Sequence, residues 1–480
     1  MKEYDRFYID GEWTSPLAPT QFAAINPATE ESFARIGLGS AADVDRAVQA
    51  ARRAFPTFSA SSKASRIALL ERIVAAIKAR TPELAAAVTQ ELGAPVNAMI
   101  HIDAALATIE QMIRTLSRYE LEVRLDGNIV RREPIGVCGL ITAWNWPVQL
   151  LCTKLSAALA AGCTVVAKPS EFTSITAIKL TEALHEAGIP KGVFNLVLGD
   201  GPTVGSAISQ HAGIEMISFT GSTRAGILVA QAAAPTVKRV CQELGGKSAN
   251  IVLPDADLRE AMRWNVARGF ANSGQSCHAP SRILVHQAQL EEALHHIRAA
   301  VAKVRVGDPL DPATTMGPLV NRAQFERVSA YIERGLTDGA RLVCGGPGRP
   351  EELRRGYFIR PTVFADVQPA MIIAQEEIFG PVLSVMTYGT EEEAVSIANA
   401  TPYGLGGFVF TRDREKGLAI GRQIRAGRVF LNGRASNMAA PMGGYKQSGN
   451  GREMGVFGLE EYLEVKAMIG FDDAEGIQLQ

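Results

Sequence analysis

A cysteine and a glutamate stand out because their types and surroundings suit covalent catalysis. Cys277 ends the stretch Gly274-Gln-Ser-Cys, where small polar neighbours favour a reactive thiol over a structural one. Glu243 opens the stretch Glu-Leu-Gly-Gly-Lys, and a carboxylate close to the thiol could serve as general base for a water molecule. Most cysteines are structural, so this pair needs support from other segments.

His278 follows Cys277 directly and suggests an alternative chemistry, that of a cysteine hydrolase without cofactor. In such an enzyme the histidine would be the base. Side chains of neighbouring residues usually point apart, so we expect little contact between these two.

A segment with two tryptophans follows a predicted strand that ends at Ala143. It runs Trp144-Asn145-Trp146-Pro147, and the end of a parallel strand is where open α/β sheets place ligand groups. The Asn145 amide could donate a hydrogen bond to a developing oxyanion, or it could cap the helix that follows.

Two further turns could hold a dinucleotide. Lys168, Ser170 and Glu171 follow the next predicted strand, where a lysine and a glutamate suit ribose hydroxyls or an exposed turn. Gly221 and Ser222 lie in a strand–turn–helix segment, and a helix start offers N–H donors to a pyrophosphate. The glycine spacing is not the usual dinucleotide fingerprint, so this motif is weak alone.

The elements around these segments alternate between apolar strands and helices. Strands are predicted over residues 135–143, 163–167, 194–198, 215–219 and 238–241, with helices over 147–161 and 175–187. This alternation predicts an α/β fold with a doubly wound parallel sheet, preceded by helical segments over 41–55 and 65–91. A second strand–helix series begins at Ala249 and predicts a second α/β domain.

A β-hairpin is predicted where Asp126-Gly127 separates two alternating stretches, residues 119–125 and 129–132. Residues 462–471 form another strand-like piece without an obvious partner. A hairpin outside the main sheet exposes its edges, so we expect these pieces to pair with another subunit.

Composition excludes several classes of protein. The 480 residues carry 49 basic and 50 acidic side chains, so net charge favours neither nucleic acid nor an anionic membrane. Six cysteines without zinc spacing predict no metal site and a reducing compartment, and we expect a cytoplasmic enzyme.

Taken in this order, these segments resemble the aldehyde dehydrogenase superfamily, from residues 8–13 to 458–466. The pairing of Glu-Leu-Gly-Gly-Lys at Glu243 with Gly-Gln-Ser-Cys at Cys277 is highly specific. The resemblance implies an NAD(P)-dependent, non-acylating enzyme with a dinucleotide-binding domain, a catalytic domain and a small β oligomerisation element.

The resemblance also implies catalytic roles. Cys277 matches the nucleophile, Glu243 the general base, and Asn145 with the backbone N–H of Cys277 the oxyanion hole. Lys154 and Glu453 fall at positions linked in some members to proton relay.

A cofactor site is implied as well. Its residues are Trp144, Lys168, Ser170, Glu171, Gly201, Pro202, Gly221, Ser222, Glu377 and Phe379. Lys168 and Glu171 match the ligands of the adenine ribose, and Glu377 matches that of the nicotinamide ribose. A carboxylate at the 2′ position would repel a 2′-phosphate, so Glu171 favours NAD, while Ser170 and Arg224 leave room for NADP.

The implied reaction oxidises an aldehyde to a carboxylic acid. The Cys277 thiolate attacks the aldehyde carbon, the oxyanion hole stabilises the alkoxide, and hydride leaves to the nicotinamide. A water activated by Glu243 then hydrolyses the thioester.

The family implies a division of the chain into three units. These are a dinucleotide-binding domain over residues 1–117 and 135–243, a catalytic domain over 244–445, and an oligomerisation unit over 118–134 and 446–480. We therefore expect a homodimer or homotetramer.

The residues around the substrate depart from common forms of the family. Trp146 and Met442 stand where many members carry Phe, so no substrate can be carried over, although the aromatic surroundings favour a medium-sized or aromatic aldehyde. Arg434, in a loop that borders the substrate entrance in the family, could anchor a carboxylate or simply lie at the surface.

Three alternatives remain beside the aldehyde dehydrogenase. A coenzyme A-acylating enzyme would pass the thioester to a thiol, and the presence of Glu243 argues against it. The cysteine hydrolase would need no nicotinamide. A non-catalytic role would predict the loss of Cys277 or Glu243, and both are present.

Overall fold

The computed structural model describes residues 1–18, 20–96 and 99–471. None of the helices in these ranges combines the length and apolar character needed to cross a membrane. Residues 472–480 of the predicted tail lie outside the described ranges.

The N-terminal part of the chain forms short strands followed by helices. In chain order these are β1 (Lys2–Tyr4), β2 (Phe7–Ile9), β3 (Glu12–Thr14), β4 (Thr20–Asn26), β5 (Glu31–Leu38), α1 (Ala41–Ser59), α2 (Lys63–Ala79), α3 (Thr81–Leu92) and α4 (Ile100–Arg118). The helical stretch predicted over residues 65–91 is divided after Ala79, because Pro82 cannot donate the N–H that would continue a helix.

The predicted alternation follows. Its elements are β6 (Glu122–Leu125), β7 (Asn128–Pro134), β8 (Val137–Ile141), α5 (Pro147–Ala161), β9 (Thr164–Lys168), α6 (Ser174–Glu186), β10 (Phe194–Leu196), α7 (Ser206–Gln210), β11 (Met216–Thr220), α8 (Thr223–Ala233) and β12 (Arg239–Glu243). Each strand predicted from residue 135 onward lies within two residues of its predicted position, because its apolar residues are buried.

The second series completes the chain. Its elements are β13 (Ala249–Val252), α9 (Leu258–Phe270), β14 (Arg282–His286), α10 (Leu290–Val301), α11 (Arg322–Thr337), β15 (Arg341–Cys344), β16 (Thr362–Ala365), α12 (Ile372–Gln375), β17 (Val382–Tyr388), α13 (Glu391–Asn399), β18 (Gly406–Phe410), α14 (Arg414–Gly421), β19 (Arg428–Leu431), β20 (Gly449–Asn450), α15 (Gly455–Glu460) and β21 (Leu463–Met468).

Two large sheets organise the molecule. The first has eight strands in the order β20-β12-β11-β8-β9-β10-β2-β3, and β8 to β12 are mutually parallel. The chain extends this sheet from β8 in both directions, so the strand order reverses between β8 and β11. This doubly wound topology is the one predicted from the sequence.

The second large sheet has seven strands in the order β15-β16-β17-β14-β13-β18-β19. Alternate residues of β14 belong to two separate apolar clusters, with Leu284 in one and Ile283 and Val285 in the other. Both faces of this sheet are therefore covered, which is how parallel sheets are stabilised.

A small sheet joins the predicted hairpin to the tail. The turn residues Asp126 and Gly127 both have positive φ (47° and 75°), which is the geometry of a tight hairpin turn. The strand β21 pairs antiparallel with β7 and completes a sheet in the order β21-β7-β6. The tail therefore has a partner in its own chain, which the sequence did not indicate.

The segment after residue 446 contributes to more than this small sheet. β20 pairs antiparallel with β12 at the edge of the eight-stranded sheet, where Gly449 lies opposite Glu243. The start of the predicted tail thus belongs structurally with the dinucleotide-type sheet.

Candidate active site

The carboxyl ends of the parallel strands bring the predicted ligand residues to one edge of the eight-stranded sheet. Asn145 follows β8, Lys168 ends β9, Gly221 follows β11 and Glu243 ends β12. This edge includes the point where the strand order reverses, and open α/β sheets bind ligands in the crevice formed there.

Cys277 lies in a loop that leaves α9 in an unusual conformation. Residues 272–274 all have positive φ (52°, 56° and 72°), a region that glycine alone enters freely. Contacts must hold such a loop, and the Ser273 hydroxyl donates to the carbonyl oxygen of Gly317 at 2.8 Å.

Asn145 is tied to the same loop. Its amide Nδ2 donates to the carbonyl oxygen of Gln275 at 3.2 Å, and its own carbonyl accepts from Nδ2 of Asn272 at 2.8 Å. A Cβ placed on Gly246 would lie 2.4 Å from the carbonyl oxygen of Cys277. The segment that follows Glu243 therefore touches the cysteine loop, and only glycine permits that approach.

Glu243 is a buried carboxyl group without a hydrogen-bond partner among the described residues. Burial, followed by the charge of Glu453, raises its pKa well above the ordinary value. A carboxylate with a raised pKa is a stronger base once it has lost its proton.

Lys154 and Glu453 form a buried ion pair. Nζ of Lys154 lies 2.5 Å from Oε1 of Glu453 and donates to the Ser218 hydroxyl at 3.0 Å. Both charges act on Glu243, because Glu453 raises its pKa and Lys154 lowers it. The structure thus brings together the two residues predicted for a relay, and it puts them close to the predicted base.

Cys277 and His278 converge, although the sequence led us to expect that they would point apart. Sγ of Cys277 lies 3.9 Å from Nδ1 of His278. The expectation was wrong because the loop does not continue the regular geometry of a helix or strand at this point. Burial, followed by the charges of Glu377 and Glu243, raises the pKa of the Cys277 thiol far above its usual range.

The residues predicted around the adenine ribose form a compact group. Nζ of Lys168 donates to the carbonyl oxygens of Pro169 and Gly199 at 2.8 and 2.7 Å, and it lies 3.8 Å from the Glu171 carboxylate. Burial lowers the pKa of Lys168. The Ser170 hydroxyl lies 3.4 Å from the Glu171 carboxylate.

Two glycine turns at this edge fit a dinucleotide. A Cβ on Gly201 would meet no atom within 4 Å, and both Gly201 and Pro202 are exposed. A Cβ on Gly221 would lie 2.5 Å from the Phe219 ring, so a side chain at this turn would displace that ring. Ser222 follows and caps α8 by accepting a hydrogen bond from an N–H of its first turn, at the helix end that suits a phosphate.

Glu377 and Phe379 precede β17 and contact segments that follow strands of the first large sheet. Oε1 of Glu377 accepts the N–H of Gly246 at 2.9 Å. Burial raises the pKa of Glu377 to about 7. Phe379, at a positive φ of 60°, packs edge-on against Trp144 with ring centroids 5.3 Å apart.

Trp146 is bonded to the cysteine loop. Its indole Nε1 donates to the hydroxyl of Ser276 at 3.1 Å, one residue before Cys277. Its ring stacks on His101 of α4 with centroids 4.3 Å apart. Burial lowers the pKa of His101 to about 3, so this imidazole is neutral.

Met442 and Arg434 lie in the loop that precedes β20. Met442 pairs with Glu453 through reciprocal backbone hydrogen bonds of 2.8 and 2.7 Å. Arg428 holds the loop by donating to the carbonyl oxygen of Pro441 at 2.6 Å. Arg434 is exposed at the surface of this loop.

Four residues at or near the site were not identified from the sequence: His101, Arg268, Asn272 and Arg428. His101, Arg268 and Arg428 lie on elements that carry no motif, and Asn272 lies just before the motif of the cysteine loop. The Asn-Ser-Gly order at 272–274 was the one available signal, because asparagine and glycine tolerate positive φ.

Comparison with known proteins agrees with this geometry. The sequence profile of the aldehyde dehydrogenase family matches residues 13–468. The 3-succinoylsemialdehyde-pyridine dehydrogenase of a Pseudomonas species is 49% identical over 475 residues, which cover 98% of this chain and 100% of that protein.

Solved structures extend the likeness to three dimensions. Aldehyde dehydrogenase C of Pseudomonas syringae, a cysteine-to-alanine variant with NAD⁺ and octanal, is 50% identical with a TM-score of 0.97, covering 98% of both chains. A betaine aldehyde dehydrogenase variant of Staphylococcus aureus, with NAD⁺ and a BME-modified cysteine, is 34% identical with a TM-score of 0.95, covering 99% of this chain and 98% of that one.

Proposed function

The chain belongs to the aldehyde dehydrogenase family, and we propose that it oxidises an aldehyde to the carboxylic acid through a thioester on Cys277, with NAD⁺ as hydride acceptor. The observation that carries this proposal is that Asn145, Glu243 and Cys277 come together at one edge of the eight-stranded sheet. Asn145 is bonded to the cysteine loop, and the charge of Glu243 reaches the Cys277 thiol.

The first half of the reaction uses the cysteine loop. The Cys277 thiolate attacks the aldehyde carbon, and the carbonyl oxygen becomes an alkoxide. The Asn145 amide and the backbone N–H of Cys277 donate to that oxygen, and such donors are most effective in a site that excludes water.

The second half uses the buried carboxyl groups. Glu243 removes a proton from water, which attacks the thioester carbon and releases the acid from Cys277. The raised pKa of Glu243 suits this task, since the carboxylate holds the proton strongly once it has taken it. The Lys154–Glu453 pair offers a route by which that proton moves on.

The cofactor residues fit NAD⁺, which supplies the hydride acceptor when it is bound. Lys168 and Glu171 would hold the adenine ribose, and Gly221 and Ser222 would face the pyrophosphate at the start of α8. Glu377 would bind the nicotinamide ribose. Glu171 favours NAD⁺ over NADP⁺, although Ser170 and the exposed Arg224 leave room for the latter.

The remaining predicted cofactor residues lie at the two ends of the proposed NAD⁺ site. Trp144 and Phe379 pack together beside Glu377, which suits the nicotinamide end. Gly201 and Pro202 form the open turn that would flank the adenine.

We propose a medium-chain or aryl aldehyde as the substrate class. The Trp146–His101 stack and Met442 would form apolar walls beside Cys277. The named relatives act on or bind aldehydes of this kind, a pyridine-bearing semialdehyde and octanal. Arg434 would add affinity for a carboxylate on the substrate, and equal activity on neutral and acidic aldehydes, unchanged in Arg434→Ala, would remove that role.

The division into domains remains our proposal, with one adjustment. A dinucleotide-binding domain over residues 1–117 and 135–243 would include β20, and a catalytic domain would follow over 244–445. The hairpin and β21 would serve oligomerisation in a homodimer or homotetramer. The six free cysteines fit a cytoplasmic location.

The test is reduction of NAD⁺ and of NADP⁺ over a panel of alkyl, aryl and carboxylate-bearing aldehydes, with Cys277→Ala as control. We expect turnover in the wild type and none in the control, with NAD⁺ preferred. Turnover by Cys277→Ala would contradict the thioester route. Product that depends on added coenzyme A would favour the acylating alternative.

A further inference from the structure

His278 and Arg268 form a pair behind the nucleophile. Nη2 of Arg268, on α9, lies 3.3 Å from Nε2 of His278, and Nδ1 of the same imidazole lies 3.9 Å from Sγ of Cys277. The imidazole therefore bridges a guanidinium and the reacting sulfur.

The chemistry of a guanidinium decides which nitrogen carries the imidazole proton. Arginine has donors only, so Nε2 of His278 must accept and cannot bear a hydrogen. A neutral imidazole carries one proton, which then lies on Nδ1 and points toward Cys277. Burial, with the charges of Arg268 and Arg428, lowers the pKa of His278 to about 3, so the neutral form prevails.

This tautomer rules His278 out as the base of a hydrolase, because Nδ1 already holds its proton.

The donating tautomer also bears on how the Cys277 thiolate is stabilised. The thiol is half-buried, and its desolvation and the charges of Glu377 and Glu243 all oppose its ionisation. Arg428 is the opposing charge acting on it, and it is bonded to the 440–441 carbonyls.

We propose that His278 is a catalytic hydrogen-bond donor to the Cys277 thiolate, and that Arg268 is a positioning residue that fixes the donating tautomer. The inference rests on the proposed role of Cys277 as nucleophile. A hydrogen bond to a charged acceptor is stronger than one to a neutral acceptor, so the contact favours the thiolate over the thiol.

The experiment is the pH dependence of Cys277 alkylation by iodoacetamide in the full-length protein, followed by mass spectrometry of the Cys277 peptide. His278→Phe keeps the bulk and removes the donor, so its midpoint should rise by about one pH unit, a tenfold loss of thiolate at fixed pH. Arg268→Met should raise the midpoint as well, because the tautomer is released.

Two conservative variants and one control separate this role from a structural one. His278→Asn places an amide donor near the position of Nδ1, and Arg268→Lys keeps a donor toward Nε2, so both should restore most of the shift. Arg263→Met, on the same helix and paired with the exposed Glu260, should leave the midpoint unchanged.

An unchanged midpoint in His278→Phe would overturn the proposal, and it would leave Cys277 as nucleophile untouched if Cys277→Ala remains inactive. Should His278→Phe fail to fold, ¹⁵N-histidine labelling of the wild type reports the tautomer directly, with His278→Asn identifying the signal among the seven histidines. Protonated Nδ1 supports the proposal, and protonated Nε2 overturns it.

Discussion

Burial sets the ionisation of the reacting residues. Burial raises the pKa values of both the Cys277 thiol and the Glu243 carboxyl, and the charge of Glu243 raises the pKa of Cys277 further. Apolar surroundings thus hold the resting site close to neutral charge, and charge develops there only during the reaction.

Replacing the base should separate the two halves of the reaction. In Glu243→Gln we expect a burst of about one NADH per active site followed by turnover about a hundredfold slower, because thioester formation survives while hydrolysis fails. Stopped-flow NADH fluorescence measures both phases. Complete loss of the burst would contradict this division of labour.

The raised pKa of Glu243 leads us to expect that steady-state turnover depends on pH. The Glu243 carboxyl must lose its proton before it can act, and its pKa is raised, so steady-state turnover should increase with pH through a range above the usual one for a glutamic acid. The dependence should vanish from the slow phase of Glu243→Gln. A wild-type turnover that does not rise with pH would contradict it.

The proposed preference for NAD⁺ depends on one carboxylate, that of Glu171. In Glu171→Gln the repulsion of a 2′-phosphate is lost, so the preference in kcat/KM for NAD⁺ over NADP⁺ should fall by about tenfold. Glu186→Gln, on the following helix, is the matched control and should keep the wild-type ratio. An unchanged ratio in Glu171→Gln would remove Glu171 from the ribose site.

Elements distant in sequence are joined by buried polar contacts. The Lys154–Glu453 pair links α5 to the loop before α15, and Ser218 connects it to β11. A buried pair of this kind contributes specificity of arrangement more than net stability, but neither partner can be removed alone without leaving a buried charge.

Removing one partner should therefore be costly. Lys154→Met should lower the free energy of unfolding by about 3–5 kcal/mol, because the Glu453 carboxylate is left buried and unpaired. The double variant Lys154→Met with Glu453→Leu should lose less than the sum of the single changes, and urea titration measures each value. Additive losses would show that the two side chains act independently.

Across the whole molecule, the small sheet β21-β7-β6 stands apart from the two large ones. Leu125 and Val465 on it are 57% and 67% exposed. Exposed apolar side chains beside an open strand edge suit an interface with a second copy.

Charge on that sheet should therefore disrupt assembly. Leu125→Asp with Val465→Asp should shift the protein toward the monomer in light scattering at micromolar concentration, whereas Leu310→Asp, 68% exposed elsewhere, should not. A wild-type monomer would refute the proposed interface.

The sequence allowed us to predict the strands and the helices after them, because local apolar patterns determine these elements. The predicted ligand residues could be placed because they follow the ends of those strands. The contacts that loops make could not be predicted from the sequence. His278 contacts Cys277 in a loop that follows three residues with positive φ, 272–274, and the pairing of β20 with β12 joins residues with no shared pattern. Arg268 and Arg428 act from positions that their residue type alone does not distinguish from surface arginines.

The pairing of β20 with β12 bears on the order in which the site is completed during synthesis. Gly449 lies opposite Glu243, and the Ser448 carbonyl accepts the N–H of Leu244 at 3.0 Å. A nascent chain that has reached only Asn432 already contains Cys277, Asn145 and Glu243, yet it lacks the strand that fixes the edge beside the base. Contacts between residues this far apart in sequence form slowly. We therefore expect the active site to be completed only near the end of translation, after β20 has been synthesised, and not as each domain emerges.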